Sequence, residues 1–310
     1  MCVASAILGE FWNVEGSVCE TTLGVSRTNW RVADCYWLTR CESERAKAFR
    51  TECHLLHAVA EVTRTEAALS LVVPTVVPTR SGDLVAVHDG SLWRLTRHVD
   101  GIHPSANDPA TYDLMLDAMF RLHRAIDLIS NLWPAYPNTL CRVRRHLGQL
   151  SSTITPTTSL ARETEVLCRA ATWIEPRLHR LSKIPARLVH GDWTPVNVLI
   201  RSDKSVGILD FESCGLGPAV LDFANMCSTL LMWSRLDNIS QRIAALASSI
   251  EKSTGSAVGL ENICISMVTH WIGHYLDWRD RASTAKNTEV LHRLLGRIET
   301  TLNFAAGTVP

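Results

Sequence analysis

With 310 residues, 46% of them hydrophobic, the chain can bury one large core or two smaller ones. Lys plus Arg equals Asp plus Glu at 31 each, so no global field gathers nucleic acid or anionic membrane on its surface. Its longest apolar run, AALSLVVPTVVP, is cut by Pro74 and Pro78 and is too short to cross a bilayer.

The N-terminal run in MCVASAILGEFW has no basic residue before it and soon meets Glu10, which argues against a secretory leader and for a cytoplasmic address. Next come NWRVA and CYWLTR, two short runs flanking Asp34 that suit a hairpin. In ESERAKAFRTECHLLHAVAEV, the residues Ala46, Phe49, Cys53, Leu56 and Val59 recur at helical spacing. TVVPTRSGDLVAVHDGSLWRLTRHV then returns to short runs, broken at RSGD and HDGS. The first hundred residues thus read as strands, one helix, strands.

From about Asp108 the patterns lengthen into helices, in TYDLMLDAMFRLHRAIDLI and LARETEVLCRAATWIEPRLHRL, separated by the Ser/Thr-rich SSTITPTTS. After residue 215 they are helical again, from PAVLDFANMCSTLLMWSRL to NTEVLHRLLGRIETTLNF. A small β-rich lobe over 1–100 and a larger helical lobe over 101–310 are expected, with no internal repeat. The ten cysteines are scattered without a CxxC pair, and are read as reduced and largely buried.

One segment interrupts the helical part. In LVHGDWTPVNVLI and the following VGILDF, two short strands joined by RSDKS form a hairpin. Asp192 and Asn197 precede the first strand and Asp210 closes the second, so two carboxylates and an amide gather at one end. Such oxygen donors suit Mg²⁺, which is usually completed by substrate phosphates. A remaining carboxylate beside it can accept a hydrogen bond from an attacking alcohol.

HGDWTPVN followed by ILDFE resembles the catalytic loop and metal-binding segment of the aminoglycoside phosphotransferase and choline kinase family. The Asp-to-Asn spacing also equals that of the protein-kinase catalytic loop. The resemblance implies an α+β, bilobal protein-kinase-like fold and an enzyme using ATP (or GTP) with Mg²⁺. It implies Asp192 as catalytic base, Asn197 and Asp210 as metal ligands, and His190 as a support of the loop. Asp222, in GLGPAVLDFANM, would tie that loop down by hydrogen bonds.

The resemblance extends to LGVSRTNWRV as the loop over the phosphates, with Gly24, Ser26 and Asn29, and to a hinge at Arg97, His98 and Val99 ending in Gly101. It fails at one place. Where the family carries a phosphate-binding cation, CYWLTR has Thr39, and Arg40 follows on the opposite face by alternation. Either a bulge turns Arg40 inward to meet Glu52 on the next helix, or another group carries the charge. Homoserine kinases of the same superfamily show a similar Leu-Thr.

The acceptor site implied by the family falls on THWIGHYLDWRDR, where His270, His274, Asp277 and Trp278 share a helical face. Two acids on that helix suit a single amine better than several. The expected partner is a small-molecule alcohol, either an antibiotic of aminoglycoside type or a metabolite such as homoserine or choline. A pseudokinase-like nucleotide-binding or scaffolding protein without turnover is the alternative, resting on Thr39.

Overall fold

A computed structural model describes residues 3–21, 27–130, 161–233, 238–254, 259–279 and 285–308. Its first elements are α1 (Val3–Phe11), β1 (Val18–Thr21), β2 (Thr28–Val32), β3 (Tyr36–Cys41) and α2 (Ala46–Thr65). They are followed by β4 (Leu71–Val72), β5 (Val76–Val77), β6 (Ala86–His88), β7 (Ser91–Arg97) and α3 (Pro109–Asp127). Beyond these lie β8 (Ala186–Val189), β9 (Val198–Ile200), β10 (Val206–Ile208) and β11 (Gly215–Pro218), among helices Ala161–Ile174, Val220–Trp233, Ile239–Thr254, Leu260–Arg279 and Ala285–Thr308.

The chain forms two compact units. The first comprises Met1–Pro104, Ala118–Tyr136 and Val196–Cys214; the second comprises Ser105–Asp117, Pro137–Pro195 and Gly215–Pro310. This differs from a single cut after residue 100, because the β9–β10 hairpin belongs with the N-terminal residues. Its pairing explains why: β10 lies antiparallel to β9 but parallel to β4, which follows α2 in the chain.

The main sheet of the first unit runs β1-β2-β3-β7-β5, with β6 also paired to β7 and all neighbours antiparallel. The predicted punctuation is local turn chemistry. Asp89 and Gly90, at φ 47° and 73°, make the two-residue turn joining β6 to β7, and Ala33 and Asp34 take positive φ between β2 and β3. Side-chain alternation then gives the sheet two faces. One carries Trp30, Leu38, Trp93 and Leu95; the other carries Asn29, Thr39 and Arg94.

The apolar face is covered by α1, which the order strands, one helix, strands did not include. Ala4, Ile7 and Leu8 bury against Trp12, Trp30, Leu38, Trp93 and Leu95, with Trp30 and Trp93 stacked at 5.3 Å. Trp12 Nε1 donates to Val77 O at 2.8 Å, satisfying the polar end of a buried ring. On the opposite side α2 buries Phe49, Glu52, Cys53 and Leu56.

Among the described residues, the regular structure of the second unit is helical apart from the β8–β11 ribbon. Among the described residues no helix is long and apolar enough to cross a membrane. Of the cysteines described, Cys41, Cys53, Cys214, Cys227 and Cys264 are buried thiols, Cys168 is intermediate, and Cys19 and Cys35 are exposed.

Candidate functional site

Within the first unit a cavity of about 410 Å³ opens beside the polar face of the main sheet. Its wall gathers residues far apart in sequence: Asn29 and Thr39 from the sheet, Glu52 from α2, Arg97, His98 and Val99 at and beyond the end of β7, and Asn197 and Asp210 at the open end of the β9–β10 hairpin. Seven of these eight, all but Thr39, were expected at a nucleotide or metal site on sequence grounds. Gly24 and Ser26 lie outside the described residues.

Strand register explains the polar side. Asn29 lies opposite Thr39, and Thr39 opposite Arg94, so the three form one row across β2, β3 and β7. Thr39 Oγ1 donates to Asn29 Oδ1 at 2.9 Å. Just beyond β7, Trp37 Nε1 donates to His98 Nδ1 at 2.9 Å, which makes Nδ1 the unprotonated nitrogen of that ring.

Arg40 does not turn inward. β3 pairs with β7 without a bulge from Tyr36 to Cys41, so alternation holds and Arg40 lies on the other face. There its guanidinium covers the Trp93 ring at 5.7 Å, donates through Nε to Ser91 Oγ at 3.1 Å and pairs with Glu42 at 3.1 Å. Glu52 is met instead by two other arginines. Arg27 reaches its Oε2 and Arg94 its Oε1, each at 2.7 Å, and the two guanidiniums flank the Phe49 ring at 4.9 and 5.0 Å.

Burial alone pushes the Glu52 carboxyl up, but the adjacent Arg94 and Arg27 outweigh it and hold the group below its ordinary range. Both arginines are correspondingly held more firmly protonated: burial opposes their charge, and attraction to Glu52 exceeds that penalty. Sequence reasoning missed Arg94 and Arg27. The signal for Arg94 was the alternation of SLWRLTR, which places it with Thr96 on one face, but only the β3–β7 register shows it opposite Thr39.

At the far side of the cavity, Leu209 N donates to Asn197 O at 2.8 Å, closing the hairpin end so that Asp210 emerges beside Asn197. Asp210 sits at φ 56° and its Oδ1 accepts from Glu212 N at 3.3 Å. A left-handed Asp is uncommon and is tolerated because its short side chain bonds its own backbone. An amide and a carboxylate here fit Mg²⁺, a hard cation that takes oxygen ligands and needs only one or two carboxylates when phosphates complete its shell. Among the described residues no three His, Cys, Asp or Glu side chains converge on a denser metal site.

Asp192 belongs to the second unit, as do His190 and Asp222. After β8 the chain turns at Gly191, φ 81°, a conformation glycine adopts without strain. Asp222, fully buried in the first turn of helix Val220–Trp233, accepts from His190 N at 3.0 Å and Gly191 N at 2.8 Å. Two amides on one buried carboxylate fix the loop. His190 is also fully buried, its Nδ1 accepts from Asp192 N at 3.3 Å, and its ring meets Trp193 edge-on at 5.5 Å.

On helix Leu260–Arg279, His270 and His274 contact each other at 4.5 Å between ring centroids, while Trp271 and Tyr275 are buried. Tyr275 OH donates to Glu163. The backbone of Asp277 and Trp278 continues this helix; their side chains lie outside the described residues.

Residues 18–253 match the model of the phosphotransferase enzyme family APH. The chain belongs to that family. Solved structures extend the likeness over nearly the whole chain. The GDP and kanamycin complex of an APH(2″) enzyme superposes with TM-score 0.69 at 13% identity, covering 98% of this chain and 99% of the other. An amicoumacin kinase in complex with AMP-PNP and Ca²⁺ gives 0.67 at 17%, covering 91% and 87%. The streptomycin-ATP-APH(2″)-IIa ternary complex gives 0.63 at 15%, covering 98% and 99%. The family fold is therefore this chain's fold: α+β and kinase-like, with an N-terminal antiparallel sheet and a helical C-terminal part. No curated protein matches it significantly.

Proposed function

We propose that the protein is a small-molecule kinase that moves the γ-phosphate of ATP (or GTP) to a hydroxyl, with Mg²⁺ as cofactor. The observation that carries this reading is the single cavity joining Asn197 and Asp210 to the hinge residues Arg97, His98 and Val99 and to the Glu52 ion pairs. Metal-ligand chemistry, a base-edge segment and phosphate-seeking cations in one wall are what a nucleoside triphosphate requires.

In this reading Asn197 and Asp210 hold Mg²⁺, which when bound neutralises charge on the phosphates. Asp192 accepts a hydrogen bond from the acceptor hydroxyl and aims its oxygen at the γ-phosphorus. The new oxygen–phosphorus bond forms as the bond to the ADP oxygen breaks, and the hydroxyl proton passes to Asp192. Asp222 and His190 keep the Asp192 loop in shape. Asp192→Ala is expected to lower kcat by about 10²- to 10⁴-fold while Mg²⁺·ADP binding persists; turnover at the unchanged rate refutes the assignment of the base.

The acceptor we propose is an alcohol carrying few positive charges, met by His270, His274, Asp277 and Trp278. The support is the neutral net charge of the chain and the state of Glu261 on the same helix, whose carboxylate is already paired with Arg177 and Arg180.

A further inference from the structure

The site lacks a lysine or arginine on β3 aimed at the phosphates, since Thr39 occupies that place and Arg40 faces away. Yet the cavity wall is not short of positive charge. Around Glu52 and Glu212 three guanidiniums, those of Arg27, Arg45 and Arg94, meet two carboxylates. Arg27 and Arg94 are the buried ones, at 7% and 11% side-chain exposure, and both line the cavity. These two buried cations share the one buried carboxylate of Glu52, with the half-buried Glu212 the next acid to Arg27, so an anion in the cavity would complete their pairing.

Their donors are also incompletely used. Arg94 Nε has no hydrogen-bond partner among the described residues, and Arg27 Nε stands 3.7 Å from Glu212, beyond hydrogen-bond range. The sheet explains how a cation one strand away can do the work. Directly opposed residues of antiparallel strands have Cβ atoms about 4.5–5.5 Å apart, and Arg94 is directly opposed to Thr39. A guanidinium reaches farther than that offset and, unlike an ammonium, can bond a carboxylate on one edge while offering further N–H groups to a phosphate.

We propose that Arg94, seconded by Arg27, is the phosphate-binding cation of this enzyme, transferred from β3 to β7, and that Glu52 is the positioning residue that holds both. The inference rests on the kinase reading above and adds which side chains meet the nucleotide's diphosphate. Thr39 and Asn29 then form a neutral polar floor where the displaced cation would have stood.

The test is calorimetric binding of ADP and of adenosine to the full chain with Mg²⁺ present. Arg94→Gln keeps a donor toward Glu52 but removes the charge, and is expected to weaken ADP about tenfold or more while adenosine changes by less than about twofold. Adding Thr39→Lys to that variant returns a cation to the adjacent strand and is expected to recover most of the ADP affinity, a rescue that a merely structural arginine would not show. Arg27→Gln, read the same way, should give a smaller loss confined to ADP and serves if Arg94→Gln does not fold. Equal weakening of ADP and adenosine, or ADP affinity unchanged, overturns the proposal. Failure of the unaltered chain to bind either ADP or GDP overturns the kinase reading itself.

Discussion

At the scale of single residues, Glu52 is a buried carboxylate shared by two buried arginines. It is 4% exposed and serves two arginines, so Glu52→Gln leaves two buried guanidiniums without their counter-charge and is expected to cost about 3–5 kcal/mol of stability. The pH dependence has a definite sign. Because Arg94 and Arg27 hold the folded carboxyl below its unfolded value despite burial, its contribution is complete above the unfolded pKa of about 4.3 and disappears as pH falls through the folded value. Denaturant titrations of the two proteins should therefore differ most at neutral pH and converge in acid below about pH 4; a constant gap would show that the ion pairs are not its source. Glu52, Asn197 and Asp210 were legible in the sequence because their neighbours supply the signal, a helix period for one and a strand-loop-strand pattern for the others. Arg94 was not, since its importance arises from sheet order. β7 pairs with β3 across α2 and three short strands, a relation that local alternation does not encode.

At the scale of elements, the hairpins and α2 followed from turn chemistry and helical spacing, both short-range. The helix α1 did not, because an isolated nine-residue helix is marginal and its short run gives little signal of its own. Its stability comes from tertiary packing: the apolar sheet face with Trp30, Leu38, Trp93 and Leu95 needs a cover, and Ile7 and Leu8 at 0% and 1% exposure provide it. Ile7→Ala is expected to cost about 2–5 kcal/mol in chemical denaturation, as for other buried large-to-small changes. The same face holds Arg40 over Trp93, so this packing also fixes which side of β3 faces the cavity. A variant whose stability is unchanged would mean that α1 lies off the sheet in solution, and the strand face would have to be buried otherwise.

At the scale of the whole molecule, the charge balance bears on the acceptor. A polycation is drawn to an enzyme by an excess of acidic surface, and that attraction appears as an on-rate that falls steeply with salt. Here Lys plus Arg and Asp plus Glu are equal, and on helix Leu260–Arg279 the acid of the first turn, Glu261, is neutralised by Arg177 and Arg180. The acceptor proposed above is accordingly a small alcohol with one amine or none. With labelled ATP, homoserine or choline is expected to be phosphorylated in preference to kanamycin, and kcat/KM for the preferred acceptor should change less than about threefold between roughly 50 and 200 mM salt. The salt series distinguishes the two outcomes even if several acceptors turn over. Steering of a polycation requires long-range field, which screening removes, whereas recognition of one amine by groups such as Asp277 acts at contact and survives. Efficient kanamycin turnover that collapses with salt would mean that a local acidic wall outweighs the neutral total, and the acceptor would then be an aminoglycoside.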